Sequence, residues 1–171
     1  TGSLHAEDTQ ARHVIFIGLD GLGSYAMEKA EMPNVRRLMA DGCYTLEKRA
    51  VNPSMSAPNW ASMFMGAGPE MHGFYSNSGS VSYKAVFTNE RGIFPTVFSQ
   101  FRQKYPNGEM GCFMEWDGIR PLIDHTVFNK VQYVSYSKTG DQGCAEAAAK
   151  YIREKRPNLF FIQLDQIDHV G

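Results

Sequence analysis

The chain has 171 residues, 43% of them hydrophobic and 20% charged, a composition that suits one globular domain with a real core and is too short for two ordinary ones. A formal net charge of -1 gives no bulk attraction for a nucleic acid polymer or an anionic membrane, so any anion must be bound locally. No run approaches the roughly 20 apolar residues of a membrane span, and the odd set Cys43, Cys112 and Cys144, without Cys-x-x-Cys spacing, points away from a disulfide framework or a cysteine zinc site while leaving room for one bridge.

Residues 1–12 read as a leader, either a tag scar or the tail of a removed signal, which favours a periplasmic or secreted protein. Residues 13–171 read as one domain. His13 to Asp20 is a near-continuous apolar run that ends on a carboxylate and is followed by Gly21, Leu22 and Gly23, which predicts a buried parallel strand and a tight turn. Asp20 then stands at the strand's carboxyl end, the edge where open α/β sheets bind ligands. A turn-capping side chain is the plain alternative for it. The glycines at 18, 21 and 23 do not fit a dinucleotide fingerprint.

Met32 to Gly42, with Pro33 at its start and Val35, Leu38 and Met39 on one face, predicts a short amphipathic helix. Tyr44 to Val51 reads as a second strand, and the charges at Glu47, Lys48 and Arg49 put it at an edge or in a partly exposed position. After the turn at Asn52-Pro53-Ser54, Pro58 and the spacing of Trp60, Met63 and Phe64 predict a helix over 57–65, stopped by Gly66, Gly68 and Pro69. Ser56 and Asn59 lie at the mouth of that helix, where unpaired N–H groups and the dipole favour an anion such as phosphate. Serine is also a preferred helix cap, so Ser56 by itself carries two readings.

Residues 75–91 turn to Ser, Asn, Gly and Thr, with Val81, Tyr83, Ala85 and Phe87 alternating like an exposed strand or a hairpin arm. A helix is expected over 94–105, a strand over 110–114, a connecting segment with a strand at 131–134, a helix over 141–155 and a buried strand over 159–164. That order predicts an α/β layered domain with a mainly parallel sheet and no internal repeat. Of the remaining polar residues, His72 reads as structural in its turn, the Asp124-His125 pair as surface, and Trp116 either as pocket lining or as a core cap.

Asp20, Ser56 with Asn59, and the Asp165 to His169 cluster therefore fall at strand ends or a helix start. Carboxylate and imidazole are ligands that zinc and harder cations accept. A cation beside Ser56 would lower its hydroxyl pKa, two ions about 4 Å apart would clamp a phosphoryl displacement, and Asn59 could donate to a phosphoryl oxygen.

Leu19-Asp20-Gly21, Asn52 to Asn59, Met65-Gly66 with Pro69 to Gly73, and Asp168-His169-Val170-Gly171 together resemble the type I phosphodiesterase and nucleotide pyrophosphatase family of the alkaline phosphatase superfamily. Met32-Pro33-Asn34 and Phe113 to Gly118 resemble it too, in the same order. The resemblance implies an alkaline-phosphatase-like α/β/α fold, incomplete at its C-terminus. It implies a phosphoester hydrolase with a covalent phospho-serine, two divalent ions, zinc in particular, and a small phosphorylated substrate. Asp20 and Asp168 become metal ligands, Ser56 nucleophile and ligand, and Asn59 a transition-state stabiliser. Asp165 with His169 has a rival four-residue spacing, but Gly171 fits the family pattern only with Asp168 as ligand. The family's nucleotide pyrophosphatases usually carry threonine at Ser56 and histidine at Trp60, and the absence of arginine at position 60 argues against the sulfatases. A phosphomonoester, phosphonate or sulfate ester hydrolase on the same fold, or a non-catalytic binding domain, are the alternatives.

Overall fold

The computed structural model describes residues 12–170, so Gly171 and all but the last residue of the expected leader lie outside the described residues. Four parallel strands form a sheet in the order β1-β4-β2-β3: β1 (Val14–Leu19), β2 (Met110–Met114), β3 (Lys130–Tyr133) and β4 (Leu159–Leu164). The helices are α1 (Ala26–Lys29), α2 (Pro33–Asp41), α3 (Ser56–Met65), α4 (Pro69–His72), α5 (Val97–Lys104), α6 (Tyr136–Lys155) and α7 (Gln166–Val170). Short 3-10 turns lie at Asp117–Leu122 and His125–Val127. Among the described residues no helix is long and apolar enough to cross a membrane.

The apolar runs of β2 and β4 are explained by their central places. All of β2 and Leu159 to Ile162 of β4 are buried. Successive side chains of a strand point to opposite faces, and β4 feeds two cores in that way. Phe161 meets Trp60 and Phe64 of α3 and Phe98 of α5 on one face, at ring separations of 5.7, 4.9 and 5.9 Å. Phe160 and Ile162 pack with Phe113, Cys144 and Ala148 on the other, under α6. The result is an α/β/α sandwich. Cys43, Cys112 and Cys144 are all free thiols, the last two buried.

Several expectations need correction. β1 is an edge strand, with Val14, Ile15 and Ile17 exposed, because it is paired on its β4 side alone among the described residues. Residues 44–51, expected as the edge strand, are irregular and largely exposed, and pair with nothing in the sheet. The segment 75–91 forms no strand either: its Ser82 and Val86 N–H groups bond to the carbonyls of Gly73 and Met71, at 2.8 and 3.0 Å, and the α4 turn takes the place of a strand partner. The helix expected over 94–105 starts later, since Thr96 caps α5 in a reciprocal pair with Ser99. β3 begins one residue before the expected strand. α6 begins at Tyr136, but Gly140 at φ +58° bends it, so the regular helix starts at Asp141 as expected.

Asp124, expected at the surface, is buried: it accepts the Thr126 N–H and hydroxyl and pairs with Arg91 at 3.2 Å. His72 is fully buried. Its Nε2 meets the Ser62 hydroxyl at 3.0 Å and its Nδ1 accepts the Phe74 N–H at 3.1 Å, which joins α3 to the turn after α4. Burial holds this imidazole below its ordinary pKa and therefore neutral.

Phe161 touches the aromatic rings of β1, α3 and α5 at once. Phe161→Ala is expected to cost about 3–5 kcal/mol, read by chemical denaturation of the protein.

Candidate active site

The turn after β1 and the first turn of α3 meet at the Asp20 carboxylate. Its Oδ2 accepts the Trp60 indole N–H at 2.9 Å. Its Oδ1 accepts the Gly21 N–H at 3.1 Å and the Ser56 hydroxyl at 3.4 Å. Burial raises this carboxyl above its ordinary pKa. The Trp60 bond pulls it back, the negative charges of Asp168 and Asp165 raise it further, and the Gly21 bond lowers it.

Ser56 is the first residue of α3, with Met55 at the cap position and no side-chain cap bond. The hydroxyl is thus not used as a cap, and it faces Asp20. The Ala57 N–H of the first turn, expected to be open, is taken by Asn77 Oδ1 at 2.9 Å. Asn59 brackets the turn before the helix: Oδ1 accepts the Val51 N–H at 2.9 Å and Nδ2 donates to the Met55 carbonyl at 2.8 Å.

β4 delivers the third group. Asp165 follows the strand directly and is buried. Its Oδ1 accepts the Gln163 amide at 2.8 Å and its Oδ2 meets His169 Nε2 at 2.9 Å. Asp168 lies one turn later on α7, against the Asp20 loop. A Cβ at Gly21, which sits at φ +75°, would lie 2.7 Å from the Asp168 Cα, so that approach needs a glycine.

Asp20, Ser56, Asn59 and Asp168 all line one open cleft of about 500 Å³ at the carboxyl rim of the sheet, with Trp60 and Met63 on its wall. Lys48 also lines it, the only ammonium group among the lining residues. Sequence reasoning had assigned Lys48 to an edge strand and had missed Asn77 altogether. The charged run before the cis Asn52-Pro53 turn was the available signal for Lys48. For Asn77 there was none.

The sequence model of type I phosphodiesterase / nucleotide pyrophosphatase matches residues 14–171. The chain belongs to that family. Among curated proteins no sequence matches it. Among solved structures it is similar to murine ectonucleotide pyrophosphatase / phosphodiesterase 5, in an inactive variant in complex with AMP, with 15% identity and a TM-score of 0.69 over 94% of this chain and 45% of that one. It is also similar to phosphonoacetate hydrolase from Sinorhizobium meliloti 1021 in complex with phosphonoacetate, with 21% identity and a TM-score of 0.59 over 93% of this chain and 47% of that one. Identities this low establish the shared fold. The chain spans about half the length of each of these structures.

The chemistry of the cleft suits a divalent cation in part. Two carboxylates and a hydroxyl are oxygen donors of the kind such ions take, and the mutual repulsion of Asp20 and Asp168 is what a cation would relieve. Among the described residues, however, no group of three or more His, Cys, Asp or Glu side chains is placed to hold an ion. These donors make one side of a coordination shell.

Two glycines at positive φ separate strain from contact. Gly66, at φ +62° with open space around it, should lose about 1–2 kcal/mol on Gly66→Ala from left-handed strain alone. Gly21→Ala adds a clash with the Asp168 backbone. The expected outcome in denaturant unfolding is a clearly larger loss for Gly21→Ala than for Gly66→Ala.

Proposed function

We propose that the chain forms the front part of a phosphoester hydrolase in which Ser56 is the nucleophile, Asn59 stabilises the transition state, and Asp20, Ser56 and Asp168 hold two zinc ions together with ligands from the part of the family domain that this chain does not span. The observation behind this reading is the convergence of Asp20, Ser56 and Asp168 on one cleft in a member of this family.

In that reaction the Ser56 Oγ attacks phosphorus, the bond to the leaving alcohol's oxygen breaks, and that oxygen departs with the electron pair and gains a proton. Water then attacks the phospho-serine, breaks its P–O bond to Ser56 and restores the hydroxyl. Asp20 Oδ1 accepts the serine hydroxyl, which orients the oxygen lone pairs away from it and toward the cleft. The Asn59 amide has one N–H on the Met55 carbonyl and can point the other at a phosphoryl oxygen as charge develops there. The amino end of α3 and the Lys48 ammonium give the anion a positive surrounding. Bound divalent ions would supply Lewis-acid charge and lower the hydroxyl pKa.

A second reading is cleavage of the C–P bond of a small phosphonate, favoured by the likeness to phosphonoacetate hydrolase.

The full-length protein should be assayed with an aryl phosphodiester, an aryl phosphomonoester, phosphonoacetate and an aryl sulfate. The diester is expected to react fastest, and Ser56→Ala to lose on the order of 10³-fold or more in kcat/KM. Equal rates for variant and parent would remove Ser56 as nucleophile, and a preference for phosphonoacetate would select the second reading.

A further inference from the structure

Behind the cleft, where β2 and β4 end, lies a second group of carboxylates that the proposed chemistry does not use. Glu115 is 2% exposed and its Oε1 has no hydrogen-bond partner, a costly state for an ionised carboxylate. Its Oε2 accepts the Asp165 N–H at 2.9 Å. Asp141, just past the Gly140 bend, accepts the same N–H at 3.1 Å and the Gln166 N–H at 2.9 Å, both through Oδ1. Accepting one and the same N–H brings the Glu115 and Asp141 carboxylates side by side. Two carboxylates that close repel unless one holds a proton, and a proton turns the contact into a strong hydrogen bond.

Gln163 completes the unit. Its Oε1 accepts the Glu115 and Trp116 N–H groups at 3.0 and 2.9 Å, and its Nε2 donates to Asp165 Oδ1 at 2.8 Å. The two strand ends, the start of the regular part of α6 and the start of α7 are thereby joined through buried polar groups.

We infer that Glu115 and Asp141 share one proton and clamp the Asp165–Gln166 turn, acting as positioning residues that keep Asp168 against Gly21 and beside Asp20. The inference rests on the reading of Asp168 as a ligand. The titratable groups facing the pair are Asp165, with His169 behind it, and the Cys144 thiol, whose own pKa burial and then these carboxylates push up. Burial, the bond to Asp141 and the charges of Asp141 and Asp165 push the Glu115 carboxyl up to about 7. The folded state therefore keeps a proton that the unfolded chain releases near 4.5. The pair's contribution to stability is fully present below that pH and is lost as pH rises through about 7. His72, lowered by burial, contributes in the opposite direction, so parent and variant must be compared at each pH.

The test uses the full-length protein. Glu115→Gln keeps an acceptor for the Asp165 N–H and a donor toward Asp141 without titrating, and Asp141→Asn removes the need for the shared proton. In metal-stripped protein, the parent's Tm is expected to fall relative to both variants between pH 5 and pH 8, the window set by the Glu115 shift. Zinc affinity, measured by competition with a chelating dye, is expected to weaken about tenfold or more in Glu115→Ala and to stay within about threefold of the parent in Glu115→Gln, as for an outer partner of a metal ligand. Parallel Tm profiles in parent and variants, or a loss of zinc in Glu115→Gln equal to that in Glu115→Ala, would overturn the clamp. If Glu115→Ala does not fold, the Tm comparison of the other two variants decides. A failure of Ser56-dependent hydrolysis bears on the proposed reaction and leaves these measurements standing.

Discussion

The Asp20 carboxylate is the point at which sheet, helix and cleft are joined. It receives donors from its own turn, from Ser56 and from Trp60, so β1 and α3 are locked together by one half-buried side chain. Trp60 links this polar junction to the apolar core: its rings stack on Phe64 at 5.8 Å and meet Phe161 edge-on, while its N–H reaches Asp20. The orientation of the carboxylate is therefore held by aromatic packing beneath it. Gly18 makes the arrangement feasible, because a Cβ there would lie 2.0 Å from the Trp60 ring.

The other half of the site is built by backbone proximity. α7 rises from β4 directly beside the β1 turn, since β1 and β4 are neighbours in the sheet with Leu19 opposite Leu164. Parallel strands send their carboxyl ends to the same rim, and Gly21 lets the α7 backbone settle against it. The Glu115, Asp141 and Gln163 network holds the same turn from behind. The α7 backbone at Asp168 thus has Gly21 against it, while the polar network bonds the Asp165 and Gln166 N–H groups at the start of the same helix.

The excursion over 75–91 has a structural part in this arrangement that its composition did not suggest. It returns Asn77 to the first turn of α3, where its Oδ1 accepts the Ala57 N–H. Lys48 reaches the same cleft from an irregular segment. Loops laid over a rigid sheet often supply such groups.

Much of the fold could be read locally. The apolar runs of β1, β2 and β4 and the punctuation of α2, α3 and the regular part of α6 by proline and glycine are written in neighbouring residues, and the common rim for Asp20 and Asp168 follows from parallel strands alone. Tertiary structure decided the rest. The β1 run does not reveal that it has one partner strand, and the alternation at 81–87 does not reveal that its N–H groups bond to a helical turn. The bond from Trp60 to Asp20, the Asn77 contact and the proton shared in the inferred Glu115 pair join residues far apart in the chain. Periodicity reports which face of an element is apolar, whereas a hydrogen bond or a pKa depends on distances of a few ångströms that exist only once the chain has folded.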